Sequence, residues 1–270
     1  MTAPVRVVVA GAAGRMGREV VRAVHGDDGC QLVAAVDVHH VGEDAGELAG
    51  IGALGVPIQA SLAEAIATGR PEVLVDFTIA RAAAANGEEA LRHGVSPVIG
   101  TTGLPSEAIE RLRALAAERR IGALIAPNFS IGAVLMMQFA RQAARYLPAV
   151  EIVELHHDRK VDAPSGTAMR TAELILEARS ERDATAPVAE EIRLPGARGG
   201  DFRGIRIHSV RLPGYVAHQE VLFGGPAQTL SIRHDSFDRT SFMPGVLLAI
   251  RRVRSLEGLA IGLEHLLDLG

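Results

Sequence analysis

The chain has 270 residues, 48% of them hydrophobic, a formal charge of −4 and one cysteine, Cys30. That length supports one large or two modest domains around a buried core, and the mildly acidic balance without a Lys/Arg tract argues against a nucleic-acid binder. The lone cysteine excludes an internal disulfide, and no apolar leader or run of about 20 apolar residues is present, so a cytoplasmic protein without a membrane span is expected.

Val5 to Ala10 is a short apolar, β-branched run, as expected of a strand buried on both faces. It leads into Gly11-Ala12-Ala13-Gly14-Arg15-Met16-Gly17 and then a helical pattern through Val20, Val21 and Val24. Strand, glycine turn and helix in this order bring backbone amides against a pyrophosphate. The GxxGxxG spacing differs from the commoner GxGxxG, so context has to support it. Gln31 to Val36 supplies that context as a second strand, with Asp37 at its end, where a carboxylate accepts from ribose hydroxyls.

The alternation continues. Ser61 to Glu64 reads as a capping box opening a helix, Val73 to Phe77 as a strand, and Ala80 to Arg92 as a helix ended by Gly94. Pro97 to Gly100 is the next strand, Pro105 to Arg119 an amphipathic helix, and Ile121 to Ile125 a further strand. Repeated β–α units imply a doubly wound, Rossmann-like parallel sheet. Ligands in such sheets bind beyond the carboxyl ends of the strands, which marks Gly100, Thr101 and Thr102, and Ala126, Pro127, Asn128 and Phe129, as liners of a nicotinamide site.

After a helix from Ile131 to Tyr146 the pattern changes. Val150 to Leu155 alternates as a strand and delivers Glu154-Leu-His-His-Asp-Arg-Lys-Val-Asp-Ala-Pro-Ser-Gly-Thr-Ala168. His156, His157 and Lys160 stand in a loop, and Pro-Ser-Gly-Thr opens a helix over Thr167 to Ala178. A helix start holds anions, so this segment reads as a carboxylate site with proton donors beside it. A metal on His156 and His157 is not expected, since neighbours on a strand face opposite ways and no third ligand accompanies them. Asp162 reads as shaping the turn before Pro164, and Glu154 as facing the loop's own backbone.

Ser180 to Pro187 reads as a polar surface connection. Gly204 to Leu212, Val216 to Phe223 and Ala227 to His234 read as strands joined by short turns, hence a second α+β domain with a mostly antiparallel sheet. Its open face needs covering, which points to subunit association through the sheet. Phe242 to Val253 and Leu259 to Leu269 read as helices returning to the first domain. The expected organisation is a dinucleotide-binding domain at 1–127 and 240–270 and a substrate and oligomerisation domain at 128–239.

These residues together resemble the 4-hydroxy-tetrahydrodipicolinate reductase family, formerly dihydrodipicolinate reductase, of the bacterial diaminopimelate–lysine pathway. The resemblance rests on Gly11 to Gly17, Gly100-Thr-Thr-Gly103, Ala126-Pro-Asn-Phe-Ser130, the segment from Glu154 to Ala168, and His234, Arg239, Phe242 and Gly245. It implies NAD(P)H-dependent reduction of a cyclic dicarboxylate by a homotetramer. It further implies cofactor contacts from Gly11, Ala12, Ala13, Gly14, Arg15, Met16, Asp37, Gly100, Thr101, Thr102 and Ala126 to Phe129. His156 would move the proton with Lys160 as second donor, while His157, Gly166 and Thr167 would hold substrate. Val38 is apolar where some relatives carry a basic residue able to pair with a 2′-phosphate, so NADH preference or dual use is expected.

Two other classes of protein share part of this pattern. An aspartate-semialdehyde or homoserine type of dehydrogenase shares the nucleotide domain, but the former needs a cysteine nucleophile and Cys30 is remote from the His-Lys loop. A non-catalytic NAD(H)-responsive regulator would keep the glycine turn and lose the chemistry, which the intact His-His-xx-Lys and Ser-Gly-Thr elements oppose.

Overall fold

The computed structural model describes residues 3–179 and 191–269; the connection expected at 180–187 lies outside them. The chain divides into one unit of Met1–Ile131 with Phe242–Gly270 and a second of Gly132–Ser241.

The first unit is built from β1 (Val5–Ala10), α1 (Arg15–His25), β2 (Cys30–Val36), α2 (Ala45–Ala49), β3 (Ile58–Gln59), α3 (Leu62–Gly69), β4 (Val73–Asp76), α4 (Ala80–Arg92), β5 (Ser96–Ile99), α5 (Ser106–Arg119) and β6 (Ala123–Ile125). Its seven-stranded sheet is parallel, in the order β12-β6-β5-β4-β1-β2-β3, with β12 the later segment Leu259–Ile261. Every residue of β4, β5 and β6 is buried, as the unbroken apolar runs demand of strands with helices on both faces. On one face Val8, Leu74, Ile66 and Leu62 pack together; Ile99, Leu112 and Ile125 form another cluster. Full burial of one such side chain is worth about 1.5–3 kcal/mol. Strand order reverses between β1 and β4, and ligands in this architecture sit at such a switch point.

The Ser61 cap appears as expected, its hydroxyl accepting from Glu64 N at 3.4 Å. The α2–β3 insertion was not anticipated. It is organised by Asp44, whose carboxylate accepts from the backbone N–H groups of Gly46, Glu47, Leu54 and Val56. Asp44 thereby caps a helix too short to show a period in sequence.

The second unit holds α6 (Ile131–Ala143, begun at the last residue of the first unit), β7 (Ala149–His156), α7 (Gly166–Ala178), β8 (Gly200–Phe202), β9 (Ile205–Arg211), β10 (Ala217–Gly225) and β11 (Gln228–Ser236). Their sheet runs β11-β10-β7-β9-β8 and is antiparallel except for the β7–β9 pair. Burial alternates along β7: Val150, Ile152 and Glu154 are buried, Glu151, Val153 and Leu155 half-exposed. One face therefore packs on the unit's own core, while the other stays accessible.

A 3₁₀ turn at Arg239–Phe242 and α8 (Met243–Arg252) return the chain to the first unit. The helix expected over Leu259–Leu269 is not formed. Leu259–Ile261 is instead β12, an edge strand paired in parallel with β6, followed by a 3₁₀ turn at Leu263–Leu266. Gly258 and Gly262 have φ of 81° and 109°, a conformation that ends a helix and frames a short strand. Three residues are too few to reveal a period of two, so the apolar run looked helical.

Candidate active site

In the first unit the glycine turn closes on β1 because its backbone packs where side chains have no room. Gly11 has φ +77°, and a Cβ there would lie 2.7 Å from the Phe77 carbonyl oxygen. A Cβ on Gly17 would lie 2.0 Å from the Gly11 oxygen, so α1 sits directly on the turn. Gly14 N donates to the Gly11 oxygen at 3.0 Å, and Gly11 N and Ala12 N to the Val36 oxygen at 2.8 and 3.2 Å. Asp37 clamps the same turn: one carboxylate oxygen accepts from Ala13 N and the other from His39 N, both at 3.0 Å. Arg15 is exposed beside it, as is Val38.

Met16, Gly100, Thr101 and Thr102 line one cleft of about 420 Å³, together with Phe77, Thr78, Ile79 and Ala80. Two features of this cleft escaped the sequence. The Phe77 ring fills the space a Gly100 side chain would need, with its edge 2.2 Å from the place of a Cβ. Asp76 is fully buried at the end of β4 and accepts from Thr78 N (2.9 Å), Thr78 Oγ1 (2.7 Å), Asn86 Nδ2 (2.7 Å) and Thr101 Oγ1 (3.1 Å). It ties the loops after β4 and β5 together, and four donors satisfy a carboxylate that burial would otherwise penalise. An aspartate ending a strand by sequence offers no clue to which hydroxyls reach it.

Ala126 to Phe129 do not line that cleft. Ala126 N donates to the Ile99 oxygen at 2.9 Å, Asn128 Oδ1 accepts from Ser130 N at 2.8 Å, and Pro127 is exposed. Phe129 is buried, with its ring centroid 5.6 Å from that of Phe77, so it supports the ring beneath Gly100.

In the second unit β7 ends at His156, and a bonded network begins two residues earlier on the same strand face. Glu154 is fully buried. Its Oε2 lies 2.5 Å from His156 Nδ1 and 2.8 Å from an Arg211 nitrogen. Its Oε1 accepts from Arg211 at 2.7 Å and from Ser165 N at 3.2 Å. Burial alone would push this carboxyl up, but hydrogen bonds from His156, Arg211 and Ser209 outweigh it and hold the group at about 2, against an ordinary 4.5. An ionised carboxylate only accepts, so the proton between the two residues sits on His156 Nδ1. The expectation that Glu154 faces its own loop's backbone covers only the Ser165 contact; the main partners are side chains from β7 and β9, brought together by strand pairing.

Lys160 Nζ donates to both oxygens of Asp162, at 2.7 and 2.8 Å, and Lys160 N to the His157 oxygen at 3.1 Å. Lys160 holds the Asp162 carboxyl below its ordinary value. Asp162 thus does more than shape the turn: it fixes the ammonium. The Ala163–Pro164 peptide is cis. Ser165 then caps α7, its hydroxyl accepting from Ala168 N at 3.2 Å. Gly166 is exposed at the helix start, where an added Cβ would meet nothing within 4 Å. The Thr167 carbonyl accepts from Thr171 Oγ1 at 2.7 Å. His157 Nδ1 is buried without a hydrogen-bond partner among the described residues. Among those residues no three His, Cys, Asp or Glu stand together to hold a metal ion, and no helix is long and apolar enough to cross a membrane.

The structure therefore gathers Met16 and Gly100–Thr102 at one cleft, with Gly11–Gly14 and Asp37 in one clamped turn, and gathers His156, Lys160 and the α7 start around Glu154 and Arg211. Comparison with known proteins decides between the readings open to such an arrangement. Residues 5–129 match the family model "Dihydrodipicolinate reductase, N-terminus" and residues 132–267 its C-terminal counterpart. The chain belongs to the dihydrodipicolinate reductase family. It is a nicotinamide-dependent oxidoreductase. The 4-hydroxy-tetrahydrodipicolinate reductase of Moorella thermoacetica is 56% identical over 99% of this chain and 100% of its own length. That of Geobacillus kaustophilus is 54% identical over 98% and 99%. A solved structure described as dipicolinate-bound dihydrodipicolinate reductase from Paenisporosarcina sp. TG-14 superposes with a TM-score of 0.89 at 43% identity, covering 98% of this chain and 100% of that one. An amine dehydrogenase from Mycobacterium smegmatis, at 17% identity and a TM-score of 0.65 over 95% and 94%, shares the fold alone.

Proposed function

We propose that the protein reduces 4-hydroxy-tetrahydrodipicolinate to tetrahydrodipicolinate in the diaminopimelate/lysine pathway, with His156 and Lys160 as proton donors. The observation that carries the reading is the pairing of His156 Nδ1 with an ionised, buried Glu154 at the end of β7, whose carboxylate also accepts from Ser165 N at the start of α7. The relatives named above bear this activity in their names, and one is described as binding the planar dicarboxylate dipicolinate.

The first unit fits a dinucleotide. Its glycine turn leaves no room for a Cβ at Gly11 or Gly17, so α1 starts directly on the turn and its first-turn amides at Arg15 and Met16 would meet a pyrophosphate, while Asp37 offers acceptors to ribose hydroxyls. Gly11 to Met16, Asp37 and Gly100 to Thr102 would hold the cofactor, with Ala126 to Phe129 beside them. A reduced nicotinamide, when bound, supplies the hydride.

The second unit supplies charge and protons. Lys160 and the N-terminus of α7, with Gly166 and Thr167, face a substrate that carries two carboxylates; helix-end electrostatics contribute up to about 2 kcal/mol in partly buried geometry. The unpartnered His157 nitrogen is a further donor or acceptor for it. Water loss removes hydroxide and a ring proton together. Hydride addition at the carbon conjugated with the imine then leaves an electron pair on the ring, and one proton from His156, whose Nδ1 is occupied by Glu154, neutralises it through Nε2. Positioned acid–base groups of this kind contribute about 10²–10⁴-fold. Lys160, the second donor, would give its proton to the departing hydroxyl and regain one from the ring carbon that loses its proton in the same elimination, and solvent restores the proton on His156.

The test is direct: the freshly formed condensation product of pyruvate and aspartate semialdehyde should drive oxidation of reduced nicotinamide, followed by its absorbance. No turnover with either cofactor would overturn the reading. Asp37 followed by apolar Val38 favours NADH, because a carboxylate disfavours a 2′-phosphate, while Arg15, His39 and His40 would tolerate NADPH, hence NADH preference or dual use. Comparison of kcat/KM with both cofactors checks this, and strong NADPH selectivity would contradict it. The accessible face of the second unit's sheet further supports a homotetramer assembled through that sheet; a monomer in sedimentation equilibrium would count against it.

A further inference from the structure

Glu154 makes more contacts than burial of a strand residue requires. Besides the Ser209 hydroxyl, four donors converge on its two oxygens: His156 Nδ1, two Arg211 nitrogens and Ser165 N. They come from the end of β7, the end of β9 and the residue that caps α7. Arg211 reaches further, donating at 2.8 Å to the carbonyl of Asp162, the residue that holds Lys160. One buried carboxylate thus anchors the residues on both sides of the 157–164 loop and, through Arg211, the loop itself. Leaving a buried anion unpaired costs several kcal/mol, and the two-pronged guanidinium removes that cost at Glu154.

We infer that Glu154 is a positioning residue for proton transfer: its carboxylate holds neutral His156 in the tautomer protonated on Nδ1, so that Nε2 exchanges the reacting proton, while Arg211 keeps the carboxylate and the loop in register. This rests on the reading of His156 as the proton donor. The physical reason is the one-way character of the contact. The carboxylate accepts and never donates, so a proton lost from the imidazolium leaves from Nε2 and the Nδ1 proton stays. The step balances within the site: Nε2 gives one proton to the reduced ring, the imidazole becomes neutral, and solvent reprotonates it. A glutamine at 154 would turn its N–H group toward an Arg211 nitrogen in either orientation, meeting Ser165 N in one and His156 Nδ1 in the other.

The experiment uses the whole protein with ¹⁵N-labelled histidine. At a pH where His156 is neutral, its NMR signals should show Nδ1 protonated and Nε2 bare. Glu154→Gln should lose that preference, lower kcat about 10²-fold and displace the pH limb assigned to His156, with a much smaller change in KM. Glu154→Asp, which keeps the charge, should restore part of both signals. A neutral wild-type His156 protonated on Nε2 overturns the inference, as does a folded Glu154→Gln enzyme with unchanged kcat and pH profile. If that variant does not fold, the wild-type tautomer alone decides. The tautomer is read without substrate, so failure of the proposed reduction registers separately in the turnover assay.

Discussion

The two units hold their ligand-facing groups by opposite means. In the first, the site is made of backbone, and its shape depends on the absence of side chains at Gly11, Gly17 and Gly100. In the second, it is made of side chains, with Glu154, Arg211, Asp162 and Ser165 setting the positions of His156, Lys160 and α7. A backbone site should be intolerant of added carbon, whereas a side-chain site should be intolerant of lost charge.

The sharpest break comes from removing the proton donors. His156→Ala and Lys160→Ala should each lower kcat by about 10²–10⁴-fold while leaving binding of reduced nicotinamide, measured by fluorescence titration, unchanged. Near-normal turnover of Lys160→Ala would remove it from the chemistry. Next in size, Gly17→Ala should destabilise the protein by about 1–3 kcal/mol in thermal melts and weaken cofactor binding, because the new Cβ meets backbone that cannot step aside. Gly166→Ala is the counterpart. With nothing within 4 Å of the added carbon, stability should stay within about 0.5 kcal/mol, and a rise in the substrate KM alone would show that the ligand, not the fold, needs the bare backbone.

The remaining effect is one of pH. Glu154 titrates at about 2 in the folded chain against an ordinary 4.5, so its ionised form adds stability above 4.5. That contribution disappears as pH falls from 4.5 through about 2, where the folded state must also take up the proton. The melting temperature of the wild type should drop more steeply across this window than that of Glu154→Gln. Parallel curves would show that the pair contributes no net stability.

Long elements with a regular period were legible in advance. The buried strands from Val5 to Ile125 and the helices between them follow from uninterrupted apolar runs and turn glycines. So does the mixed sheet after Ala149, whose strands are long enough to alternate. Short elements were not legible: β12, the α2–β3 insertion and β8 have between two and five residues each and no period to read.

The site divides along the same line. Sequence by itself determined the residues whose role is local: the glycine turn, Asp37 at a strand end, and the His-His-xx-Lys segment running into a capped helix. All of these act through neighbours along the chain, so spacing exposes them. Only the tertiary structure decided the partners: Asp76 under Thr78, Asn86 and Thr101, Phe77 against Gly100, and Arg211 across from Glu154, fifty-seven residues away. Such pairings depend on strand register and on which groups burial deprives of water. A buried carboxylate must find its donors wherever the fold brings them, and linear spacing carries no record of where that is.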